Sequence, residues 1–434
     1  MTFLQSWIPS ANDPASDFPP ENLPFGVFSM SVGGYSASSQ QIGVAIGDQV
    51  LNVSRQGTVE LFEGKAREIA VRCKDTTLNG LMSAPSDMLS DFRKRVQELV
   101  CSTDSATIDK VSAALVPMEK TIMSLPATIG DYTDFYASIE HATNVGSMFR
   151  PDNPLLPNYK HVPIGYHGRS SSIVVSGSVL RRPRGQTMAT DASAPVFGPS
   201  RSLDYEAEIG FFVARGNDRG KPIPIDEAEN HIFGFCLLND WSARDIQAWE
   251  YQPLGPFLAK NFTTTISPWV VTREALAPFR APRPVRAHGD PEALPYLQAK
   301  DSRSEALDLQ VEVLILSQKM RDQGIEPHRV SRAGFRSMYW TPAQMLTHHA
   351  SGGCNMRTGD LIGSGTVSGT TKDSRGSMLE LTWRGAEPLA LPSGETRKFL
   401  EDGDEVIMRG YCEREGVRRI GFGECRGTIL PAGS

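Results

Sequence analysis

Short runs of strand-forming residues, each closed by glycine or proline, recur along the whole chain and leave little room for long helices. The 39 glycines and 30 prolines are spread rather than clustered, as many turns between short strands require. Near the start, residues 24–29, 41–46 and 49–53 read as strands of a small barrel or sheet. From 87 to 100, Met88, Leu89, Phe92, Val96, Leu99 and Val100 recur at three- and four-residue spacing, the pattern of one amphipathic helix. A polar stretch, 102–110, follows, and the domains are expected at 1–120 and 121–434. Farther on, Leu307, Leu309, Val311 and Val313 alternate as in a half-buried strand, and 378–383, 405–411 and 419–430 are further strand candidates. One helix start is well marked: Thr341 as N-cap, Pro342 first in the helix and Gln344 completing a capping box, with Gly352-Gly353 as the stop. No repeat or low-complexity tract appears, so the expected class is mainly β with some helix (α+β).

A chain of 434 residues has the length of two domains. Its 44 basic residues against 50 acidic ones give a net charge of −6, with no basic run dense enough to track phosphates. Nucleic acid and anionic membrane are therefore not expected as partners. Six dispersed cysteines without a CxxC pair suit free thiols in a reducing compartment. The first ten residues have no signal-peptide pattern, no apolar run approaches the ~20 residues of a membrane helix, and the last residues are not a peroxisomal tripeptide. A cytoplasmic location is the expectation.

Residues able to carry chemistry gather in a few places. In 203–213, strand alternation puts Asp204, Glu206 and Glu208 on one face and Tyr205, Ala207 and Ile209 on the other. Such acids suit a solvated strand face as well as a cation site. Their company favours the cation: Asp240 follows an apolar run and stands at a strand end, and Asp131 and Asp134 lie among Tyr132, Phe135 and Tyr136. Carboxylates without cysteine or clustered histidine select Ca²⁺ or Mg²⁺ over Zn²⁺. His141 lies seven residues after Asp134; if the stretch is helical the two share a face roughly 10 Å apart, with room for a substrate between metal and general base. His348-His349 cannot chelate one ion together and reads as structural or capping. Arg244, Gln247, Tyr251 and Lys260 offer donors for an oxyanion. The plainer reading of that stretch is an amphipathic helix burying Ile246 and Trp249. The glycine-rich 363–369 has no following GKS or GKT, so it is a tight loop lining a cleft rather than a phosphate cradle, and no GxGxxG supports a dinucleotide enzyme.

Taken in order, segments 131–136, 141–146, 165–169, 239–247 and 376–380 resemble the fumarylacetoacetate hydrolase family, and the likeness runs on through 397–400 to 421–423. The resemblance implies a small SH3-like barrel at the N-terminus, a larger β-sandwich roll, a homodimer, and hydrolysis of fumarylacetoacetate to fumarate and acetoacetate in tyrosine and phenylalanine breakdown. By motif position it implies Ca²⁺ ligands at Asp134, Glu206, Glu208 and Asp240, and Mg²⁺ positions at Asp240, Lys260 and Thr264. Lys260 there is a neighbour rather than a ligand, because an ammonium has no lone pair. It further implies His141 as general base, Glu380 as its orienting carboxylate on a strand face opposite Leu379 and Leu381, and Arg244, Gln247 and Lys260 as oxyanion donors. Substrate contacts fall on Tyr136, Arg150, Tyr166, Gln247, Tyr251 and Thr366. Thr263 stands where the family has glycine, which puts the backbone of the Lys260–Thr264 loop in question. The rival readings are an acylpyruvate hydrolase, a decarboxylase or isomerase of a related keto acid, and a non-catalytic calcium-dependent binding module.

Overall fold

A computed structural model describes residues 3–301 and 305–433. The three expected N-terminal strands form as β1 (Phe25–Val32), β2 (Gln41–Ile46) and β3 (Gln49–Asn52). They are joined antiparallel in that order, and the amphipathic segment forms helix α1 (Ser86–Val100) with Phe92, Val96, Leu99 and Val100 buried. The polar stretch after it holds a further helix, Ser105–Ser112, capped by Asp104, whose side chain accepts the Thr107 N–H at 2.9 Å. Strand β4 (Leu115–Pro117) then pairs with β3, and β5 (Thr121–Ser124) with β1. The backbone of Phe25 exchanges two hydrogen bonds with Val270, tying this unit to the rest of the chain.

The larger part is built on a curled eight-stranded sheet. Its members include β6 (Tyr132–Phe135), which leads into helix α2 (Ile139–Phe149), then β7 (Gly165–Gly168), β8 (Ala207–Val213) and β9 (Ile232–Asp240). After helix α3 (Arg244–Glu250) comes β10 (Thr264–Ile266). A second, five-stranded sheet contains β11 (Gln310–Leu316) and β12 (His328–Gly334). Helix α4 (Pro342–Ser351) starts at the expected capping box. Strand β13 (Leu361–Gly363) returns to the large sheet, the four-residue helix α5 (Met378–Leu381) follows, and the long pair β14 (Glu405–Arg414) and β15 (Val417–Leu430) completes the second sheet. The large sheet runs β7-β6-β13-β8-β9-β10 and ends on Ile173–Val175.

Each face of the large sheet has its own core. Ala207, Ile209, Phe211 and Val213 of β8 pack with Val311, Val313, Val406 and Met408 of the second sheet. Phe212, Cys236, Leu238 and Leu361 face the other way, into the core that contains Phe25, Phe62 and Phe92 of the N-terminal unit. All six cysteines are unpaired. Two expectations fail here. Residues 378–381 are helical rather than extended, because the Ser377 side chain accepts the Glu380 N–H and caps a turn. Trp249 is exposed, since α3 lies at the surface and buries Ile246 instead.

Candidate active site

Neighbouring strand ends assemble the acids. Asp134 lies on β6, Glu208 on β8 and Asp240 at the end of β9, while Glu206, just before β8, bridges to Ser377. Between β6 and β8 runs β13, whose Gly363 pairs with Asp134. A Cβ at 363 would sit 2.5 Å from Asp134 Oδ1 and 2.9 Å from Glu208 Oε2. The missing side chain is thus what lets the flanking carboxylates converge. Asp134, Glu206, Glu208 and Asp240 are all buried and offer oxygens within 4.8 Å of one another.

Two of these oxygens, Glu208 Oε1 and Asp240 Oδ1, are buried without a hydrogen-bond partner among the described residues. Burial and the neighbouring carboxylates push the Asp134 and Glu208 carboxyls well above their usual range. Buried oxygen acceptors in excess of donors are what a hard divalent cation requires, so these four residues fit such an ion. Part of the charge is already balanced. Lys260 Nζ lies 2.5 Å from Glu206 Oε2 and 2.7 Å from Asp240 Oδ2, and Arg244 Nη1 lies 2.8 Å from Glu206 Oε1. Burial alone would raise the Glu206 carboxyl, but Lys260 and Arg244 outweigh it and hold the group below its usual range.

Asp134 and His141 do not share a helix, because β6 ends at Phe135 and α2 begins at Ile139. His141 meets the cluster through the fold, its Nε2 standing 3.6 Å from Glu206 Oε1. Its Nδ1 is 2.6 Å from Glu380 Oε2. Glu380 also accepts from Asn144 Nδ2 at 2.8 Å, Ser377 Oγ at 2.8 Å and Ser368 Oγ at 3.0 Å. Burial is outweighed by His141 and these donors, so the Glu380 carboxyl lies below its usual range. An ionised Glu380 places the imidazole proton on Nδ1 and leaves Nε2 as the acceptor. Asn144, Ser368 and Ser377 escaped the sequence reading. Asn144 alone carried a signal, lying three residues after His141 on the same helix face.

A cavity of ≈480 Å³ opens onto this group and takes in His141, Glu206, Arg244, Gln247 and Lys260. The Tyr136 ring stands edge-on to His141 at 5.3 Å, and the Tyr166 hydroxyl donates to Asp240 Oδ2 at 3.0 Å. Thr366 Oγ1 lies 3.3 Å from His141 Nε2. Arg150, at the C-terminal end of α2, and Tyr251, at that of α3, stand on the cavity wall. Thr264 is buried opposite Asp240 in the β9–β10 ladder. Thr263 is not among the residues with left-handed backbone, so that position accepts a side chain without strain. His348 and His349 stay outside the site, bonded to Tyr296 and Thr133.

Fold and site together define a class: strand-rich proteins in which a buried histidine–glutamate pair stands beside a carboxylate cluster that fits a divalent cation. The family profile described as fumarylacetoacetate hydrolase C-terminal matches residues 131–430, and the one described as fumarylacetoacetase N-terminal matches 21–126. Fumarylacetoacetase of Caenorhabditis elegans is 52% identical over 96% of this chain and 97% of its own length. The Homo sapiens fumarylacetoacetase is 48% identical over 98% and 99%. Among solved structures, a fumarylacetoacetate hydrolase from psychrophilic Exiguobacterium antarcticum superposes with a TM-score of 0.52 at 15% identity, covering 94% of this chain and 99% of that one; this is a likeness of fold. The chain belongs to the fumarylacetoacetate hydrolase family.

Proposed function

We propose that the protein hydrolyses the carbon–carbon bond of 4-fumarylacetoacetate, giving fumarate and acetoacetate. The observation that carries the reading is the buried His141–Glu380 contact of 2.6 Å, with Nε2 turned toward the carboxylate cluster and the cavity. His141 Nε2 takes a proton from water, and the hydroxide adds to the ketone carbon of the fumaryl group. Arg244 Nη2, buried without a hydrogen-bond partner among the described residues, is a donor in place for the tetrahedral oxyanion. Lys260 and the amide nitrogen of Gln247, whose Oε1 is engaged by Arg244 at 3.1 Å, complete that set. Collapse breaks the carbon–carbon bond, and His141 returns its proton to the departing acetoacetate carbanion. Asp134, Glu206, Glu208 and Asp240 are the residues to hold Ca²⁺, with Asp240 and Thr264 beside a Mg²⁺ position and Lys260 as its cationic neighbour. A divalent ion bound there supplies Lewis-acid stabilisation to the dicarbonyl oxygens. Tyr136, Arg150, Tyr166, Tyr251 and Thr366 orient the substrate. A homodimer comes with this reading from the family resemblance, and a cytoplasmic location is the expectation from the sequence.

The test follows the ultraviolet absorbance of freshly prepared fumarylacetoacetate in three arms: protein as purified, after chelation, and after Ca²⁺ is restored. Loss of absorbance that chelation stops and Ca²⁺ revives is the expected result. No loss in any arm, from folded protein, selects another keto acid or a binding module.

A further inference from the structure

Asp204 shares the alternating face of Glu206 and Glu208 in the sequence, yet it stands outside the cation-ready cluster. It is fully buried, and its carboxylate accepts four hydrogen bonds. Oδ1 takes the backbone N–H of Met378 at 2.7 Å and of Tyr205 at 2.8 Å. Oδ2 takes Arg244 Nε at 2.8 Å and the Leu379 N–H at 3.0 Å. Four donors from three separate segments thus converge on one side chain. One side chain therefore grips the guanidinium that opens α3 and the first two N–H groups of α5, the helix that carries Glu380.

The guanidinium is planar, so two fixed nitrogens fix the third. Asp204 holds Nε, Glu206 and Gln247 hold Nη1 at 2.8 and 3.1 Å, and Nη2 is left buried and unpartnered among the described residues. On the other side, α5 sets Glu380, which sets the ring of His141. The oxyanion donor and the proton acceptor must address the same carbonyl carbon, yet they come from separate elements. Asp204 is the contact that joins those elements.

We propose that Asp204 is a positioning residue that sets the placement of Arg244 Nη2 relative to the His141–Glu380 pair. The inference rests on the hydrolase reading of this site. Asp204→Asn keeps the size and one acceptor but turns a donor toward either Arg244 Nε–H or a backbone N–H of α5. With the fold intact, kcat and kcat/KM are expected to fall together by about 10²-fold, the cost of an ångström-scale misplacement, with KM and Ca²⁺ affinity by calorimetry in place. In Arg244→Lys the Nε contact is already gone, so adding Asp204→Asn to it is expected to cost little more. Should Asp204→Asn not fold, Asp204→Glu takes its place, keeping the charge but moving it by one methylene. Undiminished turnover in a folded 204 variant, or losses that multiply in the double variant, overturn the proposal; so does failure of both single variants to fold, which makes Asp204 scaffold alone. Wild-type protein with no turnover of fumarylacetoacetate overturns the hydrolase reading and this inference with it, whatever the 204 variants do.

Discussion

Removing the imidazole at 141 separates the chemistry from the scaffold, because Glu380 keeps three other donors, Asn144, Ser368 and Ser377. His141→Ala is expected to lower turnover by about 10²- to 10⁴-fold while Ca²⁺ binding by calorimetry stays nearly intact, since none of the four acids is touched. Loss of ion binding along with turnover would instead make His141 a structural residue. A second single side chain governs acid behaviour far from the site. Glu395 accepts from Ser317 Oγ at 2.5 Å, Ser393 Oγ at 2.6 Å and Arg397 Nη2 at 2.8 Å, and these hydrogen bonds, Ser317 first, pull its carboxyl from 4.5 down to about 2. A depressed carboxyl contributes stability above its unfolded value and loses it as pH falls toward the folded one. Glu395→Gln is therefore expected to melt lower at neutral pH and to show a shallower fall in Tm between pH 4.5 and pH 2. Parallel Tm curves for the two proteins across that window would refute the assignment.

At the scale of elements, one exacting position is on β13, where an added side chain would meet the site acids. Gly363→Ala places a methyl within 2.5 Å of Asp134 Oδ1 and 2.9 Å of Glu208 Oε2, and buried strand ends cannot yield freely. The expected outcome is loss of Ca²⁺ binding in a calorimetric titration, with a far-ultraviolet spectrum like the wild type; undiminished affinity would show that the cluster opens without cost. Nothing in the sequence announced that role, because pairing Gly363 with Asp134 joins residues more than two hundred positions apart. What was legible was local periodicity. Alternation in 207–213 put Glu208 and Ile209 on opposite faces, three- and four-residue spacing marked α1, and the Thr341 capping box marked α4. Short apolar runs were not legible: Met378–Leu381 fits strand or turn of helix equally until Ser377 caps it. The helix imagined between Asp134 and His141 failed for a related reason. Seven residues satisfy a helical face on paper, but β6 is claimed by β7 and β13 through pairings that spacing cannot reveal. The acids singled out from the sequence pattern, and again by the resemblance, do converge, through strand order rather than sequence proximity.

Across the whole molecule, the large sheet serves two cores at once, packing the second sheet on one face and the N-terminal unit on the other. Lys260 and Arg244 supply two positive charges to the buried acids, and carboxyls driven upward by burial and mutual repulsion record the shortfall. Folding into this arrangement costs free energy that a bound cation offsets. An ion that binds only the folded state stabilises it by RT ln(1 + [ion]/Kd), about 1.4 kcal/mol for each tenfold excess. Chelated protein at neutral pH is thus expected to melt below the untreated form, and its Tm is expected to climb with the logarithm of added Ca²⁺ once the concentration passes Kd. The same titration on Glu208→Gln, which takes one carboxyl out of the crowded set, should start from a higher ion-free Tm and climb less. A Tm that ignores both chelation and millimolar Ca²⁺ would mean that the four acids hold no ion strong enough to matter to the fold.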